Sequence, residues 1–130
     1  MRFFKCSVCG NEFEMTKDGG GTPSCCQKTM TELLPASTDG ALEKHVPVCE
    51  EQLAICPSND YKDVRIQVGS SMHPMEEHHY IQWIVVETNQ GVYRRNLLPD
   101  DEPVAVFCMH PDEVVRNVYA FCNLHGLWSA

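Results

Sequence analysis

Eight cysteines and six histidines in 130 residues are the side chains with the most capacity for chemistry here, and their spacing sorts them into clusters. Lys5-Cys6-Ser7-Val8-Cys9-Gly10 contains a Cys-x-x-Cys-Gly turn, in which two thiolates can face one ion while Gly10 lets the chain turn beneath the sulfurs. Cys25 and Cys26 follow a glycine-rich TKDGGGTPS loop. Adjacent cysteines reach one metal only from a non-extended backbone, because side chains alternate faces along a strand. Four thiolates in a tetrahedral arrangement suit iron or zinc. A segment of about 36 residues cannot hold a fold by burial alone, so the metal is expected to be what folds it.

A second cluster lies in HPMEEHHYI, residues 73–81. His73 and His79 are six positions apart, which means roughly 20 Å along a strand or about 240° around a helix. Neither regular element puts both on one ion. Pro74 interrupts a strand, so PMEE reads as a loop or single helical turn that folds the segment back, joins His73 to His79 and leaves His78 facing solvent. A strand starting near His79 would set His79, Ile81, Trp83 and Val85 on one face. In FCNLHGLW, Cys122 and His125 are three apart with Gly126 permitting the turn. That pair is either a Cys-x-x-His chelate or a core thiol beside a surface imidazole. His45, in EKHVP, carries little weight by itself, and His110, in CMHPDE, reads as exposed.

The elements that must position these side chains are short. HVPVCEEQLAIC, YKDVRIQVG, YIQWIVVETN, GVYRRNLL, EPVAVFCM and VVRNVYAFCN are rich in Val, Ile, Tyr and Phe and lie between turn signals, which predicts strands. Asn89-Gln90-Gly91 predicts a hairpin turn, and PDEVVRNVY a turn or two of helix at most. The sum is a mainly β chain whose larger part is a small antiparallel β-sandwich. Pro35–Ala41 is small, polar and turn-rich, a linker that places the domain boundary near residue 37, giving domains 1–36 and 37–130.

Composition excludes several classes. A formal charge of -8 and the absence of a basic stripe argue against nucleic-acid binding. The opening MRFFKC lacks the apolar run of a signal peptide or membrane span, which predicts a cytoplasmic protein with no membrane partner. In that compartment cysteines are expected to be thiols or metal ligands rather than disulfides.

Taken together, EKHVP, HPMEEHHYIQW and CNLHGLW, in that order behind a CxxCG and CC module, resemble desulfoferrodoxin, the two-iron class of superoxide reductase, over nearly the whole chain. The resemblance implies a desulforedoxin-like N-terminal domain with iron on Cys6, Cys9, Cys25 and Cys26. It also implies an immunoglobulin-like sandwich whose second iron has four equatorial imidazoles, His45, His73, His79 and His125, and an axial thiolate, Cys122. The implied activity is one-electron reduction of superoxide to hydrogen peroxide, with rubredoxin or a similar carrier as electron donor and a homodimer as the assembly. Lys44 would attract superoxide and organise a proton-delivering water. Glu43 matches the family's carboxylate that gates the open position of the iron.

Five protein ligands exceed the tetrahedral demand of structural zinc, and a thiolate opposite an open position pushes electron density toward a bound oxygen species. The repelling average charge requires local positive potential near the iron. Glu76, Glu77, Arg94 and Arg95 read as solvated surface charges. The stretch between His45 and His73 looks longer than is usual for the family. It carries Cys49 and Cys56, which with Cys108 match no ligand position and read as packing residues, with a Cys49–Cys56 redox pair as the lesser alternative. The competing functions are a zinc-stabilised binding scaffold and a pure electron carrier.

Overall fold

The computed structural model describes residues 1–36, 42–52 and 60–130, with only the backbone of residues 51 and 52. By backbone contact it separates into two compact units, Met1–Leu34 and Pro35–Ala130.

The first unit holds β1 (Arg2–Lys5), β2 (Glu12–Met15), β3 (Ser24–Cys25), β4 (Lys28–Thr29) and β5 (Thr31–Leu33). They form an antiparallel sheet in the order β2-β1-β5 and a separate β3-β4 hairpin. Phe4, Cys6 and Met30 form a small buried cluster, with Met15 and Cys25 packed against them. Arg2 adds a clamp: Nε and Nη2 each donate to a carboxylate oxygen of Glu32 at 2.7 Å, while Nη1 donates to Asp18 at 2.7 Å. These hydrogen bonds hold the Glu32 carboxyl below its ordinary range. The groups are largely in contact with solvent, so they fix geometry more than they stabilise.

The second unit begins with one helical turn, α1 (Leu42–His45), followed by β6 (Pro47–Gln52), β7 (Lys62–Val68), β8 (Ile81–Thr88), β9 (Val92–Asn96), β10 (Val104–Met109), β11 (Val115–Cys122) and β12 (Gly126–Ser129). Two antiparallel sheets, β10-β7-β6 and β12-β11-β8-β9, make the expected sandwich. Their inner faces supply one core: Val64, Ile66 and Val68 alternate along β7, Ala105 and Met109 come from β10, and Ile84, Val86, Val118 and Ala120 come from the facing sheet. Burying each such aliphatic side chain contributes roughly 1.5–3 kcal/mol.

Three sequence expectations need correction. Strand β8 starts at Ile81, not near His79. Its faces also change phase, because the pairing shifts between Phe121–Trp83 and Cys122–Ile81. Ile81 is therefore in the core, whereas Trp83 stacks on Phe121 at 5.3 Å under the Arg94 guanidinium. A bulge of this kind re-aims side chains where a strand meets a site. PDEVV is a turn entering β11, not a helix. Lastly, Cys49 and Cys108 are both exposed, and Cys108 is disulfide-bonded, so neither is a packing residue. On β10 the inward positions are Ala105 and Met109, which leaves Cys108 on the outer face. Cys56, and with it the alternative of a Cys49–Cys56 redox pair, lies outside the described residues.

The Asn89-Gln90-Gly91 hairpin turn joins β8 to β9, with Thr88 N–H donating to the Gly91 carbonyl at 2.9 Å. Thr88 Oγ1 accepts from Gln90 and Gly91 N–H and donates to the buried carboxylate of Glu113, which also accepts from Tyr93 OH at 2.8 Å. Burial opposes ionisation of Glu113, but these donors outweigh it and lower its pKa. Glu113→Ala should cost about 1–3 kcal/mol at neutral pH, because two hydroxyls lose their acceptor. A depressed folded pKa means that the carboxylate's contribution is complete above the ordinary value of 4.5 and lost as pH falls through the lower folded value. The difference in urea midpoint between wild type and variant should therefore narrow in acid.

Candidate metal centres

The first cluster solves the problem of adjacent cysteines with a turn. Cys25 pairs with Lys28 across the β3-β4 hairpin, leaving Cys26 and Gln27 as a two-residue loop with φ of 50° and 58°. Positive φ at both central residues is what a type I′ turn requires. The left-handed backbone swings the Cys26 sulfur to the same side as that of Cys25, 3.9 Å away. Cys9 Sγ lies 3.6 Å from Cys25 Sγ, and all four sulfurs of Cys6, Cys9, Cys25 and Cys26 fall within 4.8 Å of one another. In the Cys-x-x-Cys turn, Gly10 N–H donates to the Cys6 carbonyl at 3.0 Å and Val8 N–H points at Cys6 Sγ at 3.4 Å. Backbone donors at Cys9 and Val8 pull the Cys6 thiol down to about 6, whereas contacts with Cys9 and Cys25 push Cys26 up to about 12. Four sulfurs this close cannot all ionise unless a cation sits among them, which is the condition a tetrathiolate metal site satisfies.

The second cluster is assembled by strand register. Pro47 pairs with Val68, and Ile81 with Cys122, which also pairs with Gly126. The start of β6, the end of β7, the start of β8, the end of β11 and the start of β12 are thus the places from which His45, His73, His79, Cys122 and His125 emerge. HPMEEHHY closes as a tight loop, in which Glu76 and His79 exchange backbone hydrogen bonds at 3.0 Å in both directions. Glu77 and His78 occupy its exposed tip, so His78 is outside the site.

The four rings of His45, His73, His79 and His125 form a square. Neighbouring centroids are 4.7, 4.6, 4.9 and 4.6 Å apart around the ring, with interplanar angles of 73–83°. The His45–His79 diagonal is 6.3 Å. Fully buried Cys122 places its sulfur 3.5 Å from His125 Nδ1. The donor atoms of all five lie within 4.8 Å of one another. His45 Nε2 and His125 Nδ1 are 2.8 Å apart, and His73 Nε2 and His79 Nε2 are buried with no hydrogen-bond partner among the described residues.

Two inward-facing orphan nitrogens are costly unless something accepts their lone pairs. The His73 Nδ1–H donates to the Pro74 carbonyl, which fixes Nε2 as the unprotonated nitrogen, the arrangement a metal-binding imidazole needs. Burial drives the His73 pKa down to about 4 and, with His125 next, lowers that of His79, so both rings are neutral. Lys44 acts on His79 in the same sense, which places its charge within electrostatic reach of the square. Burial also raises the Cys122 thiol, against hydrogen bonds from the His125 and Leu124 backbone. A cation reverses that preference and makes Cys122 the thiolate ligand. The donor set thus fits a metal ion at both clusters.

Two supporting residues escaped the sequence reading. Trp128, 1% exposed, stacks on His45 at 4.6 Å and 20°. Asn123 latches the Cys-x-x-His loop to the other histidine segment: its Nδ2 donates to the His78 carbonyl at 3.0 Å and its Oδ1 accepts from Tyr80 N–H at 2.9 Å. An Asn between a candidate cysteine and histidine was the available signal. Glu43 and Lys44 are exposed on α1, beside His45. Glu76, Glu77, Arg94, Arg95 and His110 are exposed as expected.

Comparison with known proteins covers both units. The family profile "Desulfoferrodoxin, N-terminal domain" matches residues 1–33, and "Desulfoferrodoxin" matches residues 37–130. A desulfoferrodoxin of Nitratidesulfovibrio vulgaris is 44% identical over 127 residues, covering 98% of this chain and 93% of its own. A desulfoferrodoxin homolog of Archaeoglobus fulgidus is 42% identical over 130 residues, 100% of this chain and 96% of its own. Among solved structures, the superoxide reductase of Treponema pallidum superposes with a TM-score of 0.78 at 31% identity, over 100% of this chain and 98% of that one. With its sequence matched along both units and its cysteines and histidines gathered into one four-sulfur and one four-imidazole, one-thiol cluster, the chain belongs to the desulfoferrodoxin family.

Proposed function

We infer that this chain is a superoxide reductase carrying two iron ions, which reduces superoxide by one electron to hydrogen peroxide. The observation that carries the reading is the square of four imidazoles with one buried thiol beside it. Five donors are more than structural zinc uses, and the mix of imidazole and thiolate suits a redox metal. His45, His73, His79, Cys122 and His125 hold the catalytic iron, and Cys6, Cys9, Cys25 and Cys26 hold the other. Bound iron supplies the electron and a free coordination position for a small anion.

The chain's own residues do the remaining work. Two protons and one electron convert superoxide to hydrogen peroxide. Lys44, a cation on a chain of charge -8, attracts the anion and orders a water that delivers protons. Glu43 gates the open position between turnovers. Pro74 keeps the His73 Nδ1 proton engaged and so keeps Nε2 available. Burial of Cys122 excludes water from its sulfur. The electron is restored by rubredoxin or a similar small carrier, and the protein acts as a homodimer. The domain division is 1–36 and 37–130, in keeping with the two compact units.

No helix among the described residues is long and apolar enough to cross a membrane. We place the protein in the cytoplasm on its cysteine-rich metal clusters; the Cys108 disulfide is the feature that speaks against it.

Anaerobic mixing of the reduced protein with superoxide, followed at both iron chromophores, should oxidise the His-ligated iron first and yield peroxide without oxygen. Colourless, zinc-filled protein prepared without metal loss, or a ferrous centre indifferent to superoxide, would sink the reading. Lys44→Ala should slow the reaction about three- to tenfold at low salt and weaken its salt dependence. Cys122→Ser should abolish the thiolate-to-iron absorption and the activity together. Removing the metal with a chelator should unfold the first unit while the sandwich keeps its near-ultraviolet dichroism, because only the second has a sizeable core.

A further inference from the structure

Helix α1, which carries Glu43, Lys44 and His45, is a single turn of four residues. A helix this short does not persist by itself. The side chains of Glu43 and Lys44 are exposed, so packing does not fix where they originate. What holds their backbone is the turn that follows β7. Ser71 N–H donates to the Glu43 carbonyl at 3.0 Å, and Ser70 Oγ donates to the same oxygen at 3.2 Å. Gly69 N–H donates to the Val46 carbonyl at 3.1 Å.

Gly69 itself has φ of 82°, and a Cβ there would overlap the Ser71 carbonyl oxygen and lie 2.6 Å from the Lys44 carbonyl oxygen. Both neighbours are backbone atoms that cannot rotate aside. The turn therefore approaches Lys44 more closely than any other residue type would allow. The same turn is secured at its far end, where His73 N–H donates to the Val68 carbonyl at 3.1 Å and Gln67 Nε2 to the Gly69 carbonyl at 2.9 Å.

We propose that Gly69, Ser70 and Ser71 form a positioning turn that holds the backbone of Glu43 and Lys44 against the end of the sandwich, setting where the Lys44 ammonium stands relative to the histidine square. This rests on the role given to Lys44 above. Neither Gly69 nor Ser70 touches substrate or iron; each acts through α1.

The test uses Gly69→Ala and Ser70→Ala in the full chain, each alone and combined with Lys44→Ala. Amide exchange in iron-free protein should quicken at Ser71, about tenfold in Gly69→Ala and about twofold in Ser70→Ala. The thiolate-to-iron absorption of the loaded variants should keep its wavelength, since the ligands are untouched. Oxidation by superoxide at low salt should slow about three- to tenfold in Gly69→Ala and about twofold in Ser70→Ala, and these losses should vanish when Lys44 is already alanine. Unchanged Ser71 exchange in both variants overturns the proposal, as does a rate loss that persists in the Lys44→Ala background. If Gly69→Ala fails to fold, Ser70→Ala decides by the same readouts. A wild-type rate for Lys44→Ala alone instead overturns the role of Lys44, whereas Ser71 exchange still reports whether the turn holds the segment.

Discussion

Two buried imidazole nitrogens left unsatisfied inside a cluster of like donor atoms are the constraint on which the second unit depends. Among the described residues His73 Nε2 and His79 Nε2 are buried with no hydrogen-bond partner, His45 and His125 bring two more nitrogens to 2.8 Å from each other, and Cys122 adds a sulfur. Such a gathering is unfavourable for apolar or hydrogen-bonded packing and favourable only around a cation. The sandwich core of Val64, Ile66, Ile84, Val86 and Ala120 supplies the stability that lets it persist. The first unit has no comparable reserve, and its four sulfurs and its fold are one problem.

Strand ends, not strand faces, carry the chemistry. Cys122 is the last residue of β11, and each histidine of the cluster sits one to five residues outside a strand. This division leaves the loops free to take the backbone shapes that ligation needs. The bridge between Glu76 and His79 closes one such loop, and Asn123 ties it to the loop from β11. The phase change at Gln82 is part of the same arrangement, since it turns Ile81 inward beside Cys122. Trp128 then covers His45 with an aromatic face, fixing the ring by contact where no strand holds it.

Much of the candidate site was legible because ligand chemistry restricts residue type. Cys-x-x-Cys-Gly, the histidines around Pro74 and Cys-x-x-His each announce a turn with donors on one side. The strands were legible through β-branched and aromatic runs, and the hairpin through Asn89-Gln90-Gly91. Less visible was anything that depends on pairing between distant segments. The faces of β8 depart from simple alternation because a bulge is set by the partner strand and not by the alternation of the strand itself. Cys49 and Cys108 read as packing residues because they match no ligand position, yet both are exposed: Cys108 lies on the outer face of β10, and Cys49, although opposite Ile66, lies on the edge strand β6.

By itself, the sequence determined which atoms can bind metal, that two clusters exist, and that the larger unit is built from short strands. Tertiary structure alone decided that His45 and His125, 80 positions apart, meet at 2.8 Å, and that four rings stand as a square. It also decided that Cys26 enters its cluster through a left-handed turn and that Gly69 seats the backbone of Lys44. The physical reason is common to all four. Local composition sets what a side chain can donate, whereas the distance between donors is set by long-range hydrogen-bond register and by steric fit between backbones that no local pattern records.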